Sequence, residues 1–284
     1  MRRALVELLL LGVLGGIVGV HVLLRKAAFI TEVVQHTVFP GIAIAFALNQ
    51  SLLAGALCTG LLSVAAFSFA ANRNRLRPDS VMAALLATFF SVGVIVVSRQ
   101  GGYQANLSSL LFGRILAVDS VEIRDTAIIA FIGIATLAGL HKELVLRAFD
   151  TVTAKALGYR VSRLDFVLNV LITLTVVAAV RAVGTVLVVA FLVTPAATAR
   201  LLTHRIGMMM LIASTLAVTC GWLGLLLSFH GSIDHGWRLA SGATVVMMFT
   251  LVFVVVWIVT NMARRWSGND GADAGAGHAP NESA

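Results

Sequence analysis

Apolar runs close to 20 residues long recur along almost the whole chain, at about 4–24, 29–48, 51–71, 80–99, 126–141, 166–181, 184–202, 208–230 and 240–262. A helix rises about 1.5 Å per residue, so runs of this length match the roughly 30 Å hydrocarbon layer of a bilayer. The pattern predicts an all-α integral membrane protein of eight or nine transmembrane helices. The polar stretches between runs are short and leave no room for a separate soluble domain. One run differs from the rest: residues 29–48 carry Glu32, Gln35, His36, Thr37 and Pro40. It is too polar to face lipid on all sides, and so must line a space or pack inside the bundle.

Composition sharpens this picture. Of 284 residues, 59% are hydrophobic and only 12% are charged, about half the charged fraction of a soluble domain, and mean hydropathy is +0.96. Water-soluble enzymes are excluded. The net charge of +8 is spread between the apolar runs and not gathered in a patch, which excludes nucleic acid as a partner. Placing the C-terminus in the cytoplasm puts fourteen Lys and Arg inside, from Arg25 and Lys26 to Arg264 and Arg265, and seven outside, among them Arg2, Arg3, Arg181 and Arg238. That bias sets the orientation. With nine spans the N-terminus then lies outside, unless one run is re-entrant or two form one broken helix. Cys58 and Cys220 sit in apolar runs without a CxxC partner and are expected to be packing residues. Arg181, in a tight apolar connection, is expected to snorkel to the interface.

The spans divide the chain into a polytopic transmembrane domain, 1–266, and a tail, 267–284, that lacks apolar periodicity and is expected to be disordered. Residues 100–125 mix Gly and Asn with LSSLLFG and point to partly structured backbone at the outer surface. Residues 142–165 form the longest cytoplasmic segment. Within it, FDTVTAKALG has Asp150 in the N-cap position and Gly158 in the C-cap position of a short surface helix.

Two groups of residues could meet a cation. Glu32 and His36 are four apart, so on a helix a carboxylate and an imidazole share one face. The same spacing also fits a structural hydrogen bond that fixes helix packing. Pro40 and Gly41 follow directly and would free backbone carbonyls beside the pair. The stretch SFHGSIDHGWR, read as an outer loop, offers His230, Asp234 and His235 as weaker ligands. His21, His141 and His204 lie near span ends and read as interfacial or core residues. No GxxxxGK[ST] is present, so ATP-driven work needs another subunit, and no HExxH supports an intramembrane protease.

Four stretches carry a family resemblance: TEVVQHTVFPGIAIAF from Thr31, LLFGRILAV from Leu110, FDTVTAKALG from Phe149 and AVGTVLVVAFLVTPAATARLL from Ala182. They resemble, in order and over nearly the whole chain, the membrane permeases of bacterial ABC importers for manganese, zinc and ferrous iron. The resemblance implies a permease fold distantly related to that of the vitamin B12 importer, in the cytoplasmic membrane. It also implies a homodimer around one pathway, two cytoplasmic ABC ATPase subunits, and an extracytoplasmic metal-binding protein. The chain would hold no resident cofactor; the divalent metal would be its cargo.

In that family an acidic residue four positions before a histidine lines the metal passage, which places Glu32 and His36 there. The family commonly has Asp where this chain has Glu32. Near the last span, where relatives often carry an acidic residue, this chain reads GWRLASG with Arg238, so no site is carried over. FDTVTAKALG matches the coupling helix that rests on the ATPase, which would place Phe149, Asp150, Ala154, Leu157 and Gly158 in ATPase coupling. Two alternatives stand beside this reading: a gradient-driven secondary metal transporter with Glu32 as proton carrier, and an ABC permease for a metal chelate.

Overall fold

The computed structural model describes residues 2–71, 78–98, 118–184, 188–234 and 241–273. Within them the chain is helical: α1 (Arg2–Leu24), α2 (Ala28–Ala47), α3 (Leu52–Ala71), α4 (Pro78–Ser98), α5 (Ser120–Gly139), α6 (His141–Phe149), α7 (Thr151–Ala156), α8 (Val161–Val183), α9 (Val188–Leu202), α10 (Ile206–Asp234) and α11 (Ser241–Asp273). Seven of these are long and apolar enough to cross a membrane, and an eighth span follows if α5 and α6, bent by 66° to each other, are counted as one. At 15 residues, α9 reaches only about 22 Å and falls short of a full crossing alone. This is the physical source of the ambiguity between eight and nine. Helix α11 runs on to Asp273, seven residues into the stretch expected to be tail. Once a helix exists, each further residue costs no new nucleation, so the apolar pattern ends before the helix does. Residues 274–284, and most of the outer segment around LLFGRILAV, lie outside the described residues.

Burial is centred on α1, which is first in the chain yet mostly covered by its neighbours. Its glycines make this possible. A Cβ on Gly16 would lie 2.5 Å from the Ser214 backbone of α10, and one on Gly19 would lie 2.1 Å from the Leu192 carbonyl of α9. Lipid gives helices no hydrophobic reason to associate, so close backbone approach along small residues supplies the dispersion contact instead. Helices α9 and α10 close around α1, and α11 packs against both of them, with Phe191 of α9 edge-on to Phe249 of α11 at 5.5 Å. Helices α2, α3 and α4 form a second group, and α8 packs between the two.

Three helix ends share one device. After α1, Ala27 N–H donates to the Val22 carbonyl (2.9 Å) and Lys26 N–H to that of Leu23 (3.0 Å). The same pair of bonds closes α2 at Asn49 and α7 at Gly158. Each is a Schellman turn whose C′ residue is left-handed, with φ of 55° at Lys26, 52° at Asn49 and 84° at Gly158. Lysine is an uncommon choice there, since its Cβ crowds the backbone.

One end of the bundle is ionic. Asp165 of α8 accepts from Arg147 Nε (2.5 Å) and Nη2 (3.0 Å), and pairs with Arg25 at 3.1 Å. Arg25 also donates to Asn169 Oδ1 at 3.2 Å. At the opposite end Arg181 bridges Glu122 (3.2 Å) and Asp125 (3.3 Å) of α5. This corrects the snorkelling role expected for Arg181. It lies inside α8 with two carboxylates facing it, and sequence distance hid them.

Candidate metal pathway

Helix α2 is the most buried of the long helices, with 72% of its apolar stretch covered. Its polar residues explain how. Thr37 donates to Ser63 Oγ of α3 at 2.9 Å, and Ser63 in turn donates to the Gly60 carbonyl at 2.7 Å. One turn on, Gly41 and Gly55 bring the backbones together, and a Cβ on Gly41 would sit 2.1 Å from the Gly55 carbonyl oxygen. On the other side Phe39 fills the space over Gly93 of α4, where a Cβ would meet its ring at 2.5 Å.

Against this covered background, Glu32 and His36 form a half-open stripe. Their side chains are 39% and 34% exposed, while Thr31, Val33, Val34, Gln35 and Thr37 around them are buried. Glu32 Oε1 and His36 Nε2 are 3.2 Å apart, so the i, i+4 spacing does bring them into hydrogen-bond contact. Pro40 lies inside the helix and has no N–H to give the carbonyl four residues back, which is that of His36. The Phe90 ring of α4 stands edge-on to the imidazole, at 5.8 Å and 86°, and is backed by Phe39 at 6.1 Å. Phe90 carries no sequence signal, because an aromatic residue in an apolar span is indistinguishable from its neighbours.

The outer set behaves differently. His230 lies on α10, not in a loop: the helix continues to Asp234. The apolar run before His230 is long enough to carry helical bonding through the polar residues. Its ring Nδ1 is 3.1 Å from the Leu226 carbonyl, so that nitrogen is engaged within its own helix. His235 lies outside the described residues. Among the described residues no three His, Cys, Asp or Glu side chains gather as a metal site. Cys58 is exposed, contrary to the packing role expected for it, and Cys220 is buried. His21 is buried, edge-on to His141 at 5.8 Å. Glu7 of α1, unremarked in sequence, is 2% exposed and accepts a 2.7 Å bond from Thr126 of α5. A single acidic residue near a span's start gives no hint of such burial.

At the cation-rich end, Asp150 caps α7 by accepting from the Val152 and Thr153 N–H groups at 2.9 Å each. The Thr153 hydroxyl also donates to it, and these bonds hold the Asp150 carboxyl below the usual carboxylate range. Phe149, Val152 and Leu157 are 65%, 78% and 64% exposed, whereas Ala154 is fully buried. This corrects Ala154 as a contact residue: it faces its own chain and seats the helix, leaving Phe149, Val152 and Leu157 as the free apolar face.

With this geometry in hand, residues 1–260 match the ABC 3 transport family. The chain belongs to that family. It is 33% identical over 258 residues to the manganese transport system membrane protein MntC of Listeria monocytogenes, covering 91% of this chain and 90% of that one. It is 32% identical over 245 residues to the chelated iron transport system membrane protein YfeC of Yersinia pestis, covering 86% and 81%. Among solved structures, PsaBC from Streptococcus pneumoniae in complex with Fab superposes with a TM-score of 0.80 at 29% identity, over 90% of each chain. As an ABC 3 family member the protein is a multi-pass transport permease of the cytoplasmic membrane, and the all-helical expectation holds.

Proposed function

We propose that the chain is the permease half of an importer for a divalent first-row metal, working as a pair of identical chains. Two ATPase subunits act beneath the pair and an extracytoplasmic binding protein delivers the ion above it. The observation that carries this reading is the Glu32–His36 pair, the half-open side chains in the stretch Ile30–Ala43 of α2, whose other residues are buried. An ionisable pair facing lipid is costly, so the open stripe belongs against a partner or a wet pathway. One chain supplies one carboxylate and one imidazole, half of a four-coordinate set; a two-fold axis beside α2 doubles it to two oxygens and two nitrogens. Two carboxylates offset the charge of a divalent ion.

Oxygen and nitrogen ligands without thiolate suit manganese, zinc or ferrous iron. The names of the relatives above, for manganese and for chelated iron, support the same range. Membership of an ABC family supports ATP-driven import over a gradient-driven carrier. When no ion is present the 3.2 Å Glu32–His36 bond satisfies both groups. An arriving ion displaces that bond and its departure restores it, so the site binds firmly enough to admit cargo and weakly enough to release it. ATPase contact falls to the exposed face of α7 within 149–158, held rigid by the Asp150 cap and the Gly158 turn. The permease domain is assigned to 1–266 and the tail to 267–284.

The test replaces Glu32→Gln, which keeps shape but removes charge, and His36→Ala, which removes a ligand. Uptake of radioactive manganese and zinc is measured per assembled complex. Either change is expected to abolish uptake while membrane insertion is retained. Parental transport per complex in both variants would make the pair a packing contact and refute the assignment.

A further inference from the structure

The cation-rich end of the bundle holds a cavity of about 450 Å³ between the α1–α2 corner, the end of α3, the start of α4, α7 and the start of α8. Among the described residues four cations line it, Arg25, Lys26, Arg147 and Lys155, against two carboxylates, Asp79 and Asp165. Arg25 and Arg147 share Asp165, so that group retains one positive charge. Lys26 and Lys155 are exposed and add two more, which Asp79 reduces by one. Among the described residues, a net excess of two positive charges therefore surrounds a space that those residues leave unfilled.

A second, shallower groove joins it. Ser68 and Ser162 line both spaces, and beyond them the groove is walled by Phe69, Phe166 and Val167, with Arg163 at its edge, between α3 and α8. Phe69 and Phe166 are 64% and 41% exposed. The two spaces thus run from a basic chamber at the helix ends to an apolar trough on the side of the bundle. A free phosphate or a nucleotide would use the chamber and leave the trough empty. A molecule with an anionic head and a hydrocarbon chain fills both, and the end concerned is the cytoplasmic one, where anionic lipids meet basic pockets between spans.

We propose that this chamber and trough form a binding site for an anionic phospholipid of the inner leaflet, its phosphodiester held by Lys26 and Lys155 beside the Arg25–Asp165–Arg147 cluster and one acyl chain lying against Phe69 and Phe166. The site is separate from Glu32 and His36 and does not depend on which cargo they carry. A lipid there touches the α1–α2 corner, α3, α4 and α8 at once, and reaches α7 through Lys155.

The test uses the purified full chain in detergent, delipidated and then titrated with phosphatidylglycerol or phosphatidylcholine of matched acyl chains, with bound lipid counted by native mass spectrometry. The variant is Lys26→Asn with Lys155→Gln. Asparagine suits the left-handed backbone at position 26, and both lysines are exposed, so the fold is retained; size-exclusion behaviour checks this. The parent is expected to prefer phosphatidylglycerol at least tenfold, and the double variant to lose that preference. Phe166→Asp, which puts a charge in the trough, is expected to lower phosphatidylglycerol binding by a similar factor. Equal binding of the two lipids by the parent overturns the proposal, as does an unchanged preference in the double variant. Displacement of phosphatidylglycerol by millimolar inorganic phosphate, with no effect of Phe166→Asp, would make the chamber a phosphate site. Loss of the lipid on adding the ATPase subunit, with the double variant failing to bind that subunit, would assign the cavity to a protein contact.

Discussion

The ring of Phe90 has a measurable task if His36 ligates the cargo. Edge-to-face aromatic pairs contribute about 0.5–1.5 kcal/mol beyond area burial. The contact at 5.8 Å and 86° therefore holds the imidazole in its present orientation by about that amount. Phe90→Ala removes it and lets the ring sample rotamers that turn Nε2 away from Glu32. The fraction of competent pairs falls by roughly 2- to 13-fold, and apparent affinity falls with it. Initial-rate uptake of manganese by proteoliposomes holding the assembled transporter would show KM rising by that factor with the maximal rate little changed. Phe90→Tyr, which keeps the ring, is expected to stay within about twofold of the parent, since the pair energy is retained, whereas Phe90→Leu should behave like alanine. A KM unchanged in Phe90→Ala would show that His36 is held by Glu32 alone. A fall in maximal rate without a KM shift would place Phe90 in a conformational step and refute the positioning argument.

Two further outcomes follow from burial. Val152→Asp, at a position 78% exposed, is expected to weaken ATPase association while leaving the amount of folded chain unchanged; Ala154→Asp, at a fully buried position, should instead lower the yield of folded chain, and pull-down normalised to membrane content separates the two. Gly41→Ala places a Cβ 2.1 Å from the Gly55 carbonyl and should cost about 1–3 kcal/mol as an overpacked contact, read as a lowered midpoint of thermal unfolding in detergent. An unchanged midpoint would mean that α2 and α3 separate freely there.

What could be read from the sequence was what lies within one or two helical turns. Glu32 and His36 meet because i and i+4 share a face, and Asp150 and Gly158 close α7 because caps are local chemistry. Contacts across the chain left no trace in the pattern. Phe90 is 54 positions from His36, Thr126 is 119 from Glu7, and Arg181 finds its partners 56 and 59 residues back. Orientation was also hidden where a helix is very short. The six residues of α7 offer too little periodicity to tell that Ala154 points inward and Val152 outward. The place of His230 was misread for the converse reason, since polar residues at the end of a long helix look like a loop.

Asp165 ties together three parts of the chain that are far apart in sequence: the corner between α1 and α2, helix α6, and α8. A force applied to α7 reaches α6 through one residue, Asp150, and α6 cannot yield alone because Arg147 is clamped to that carboxylate. The load passes to Arg25, seven positions before Glu32, at a corner whose backbone is already locked by the Lys26 turn. In engineering terms the corner is a braced joint and not a hinge. Any tilt imposed from below must therefore turn α2 as a rigid rod, carrying Glu32 and His36 with it as one piece, without bending the chain beneath them.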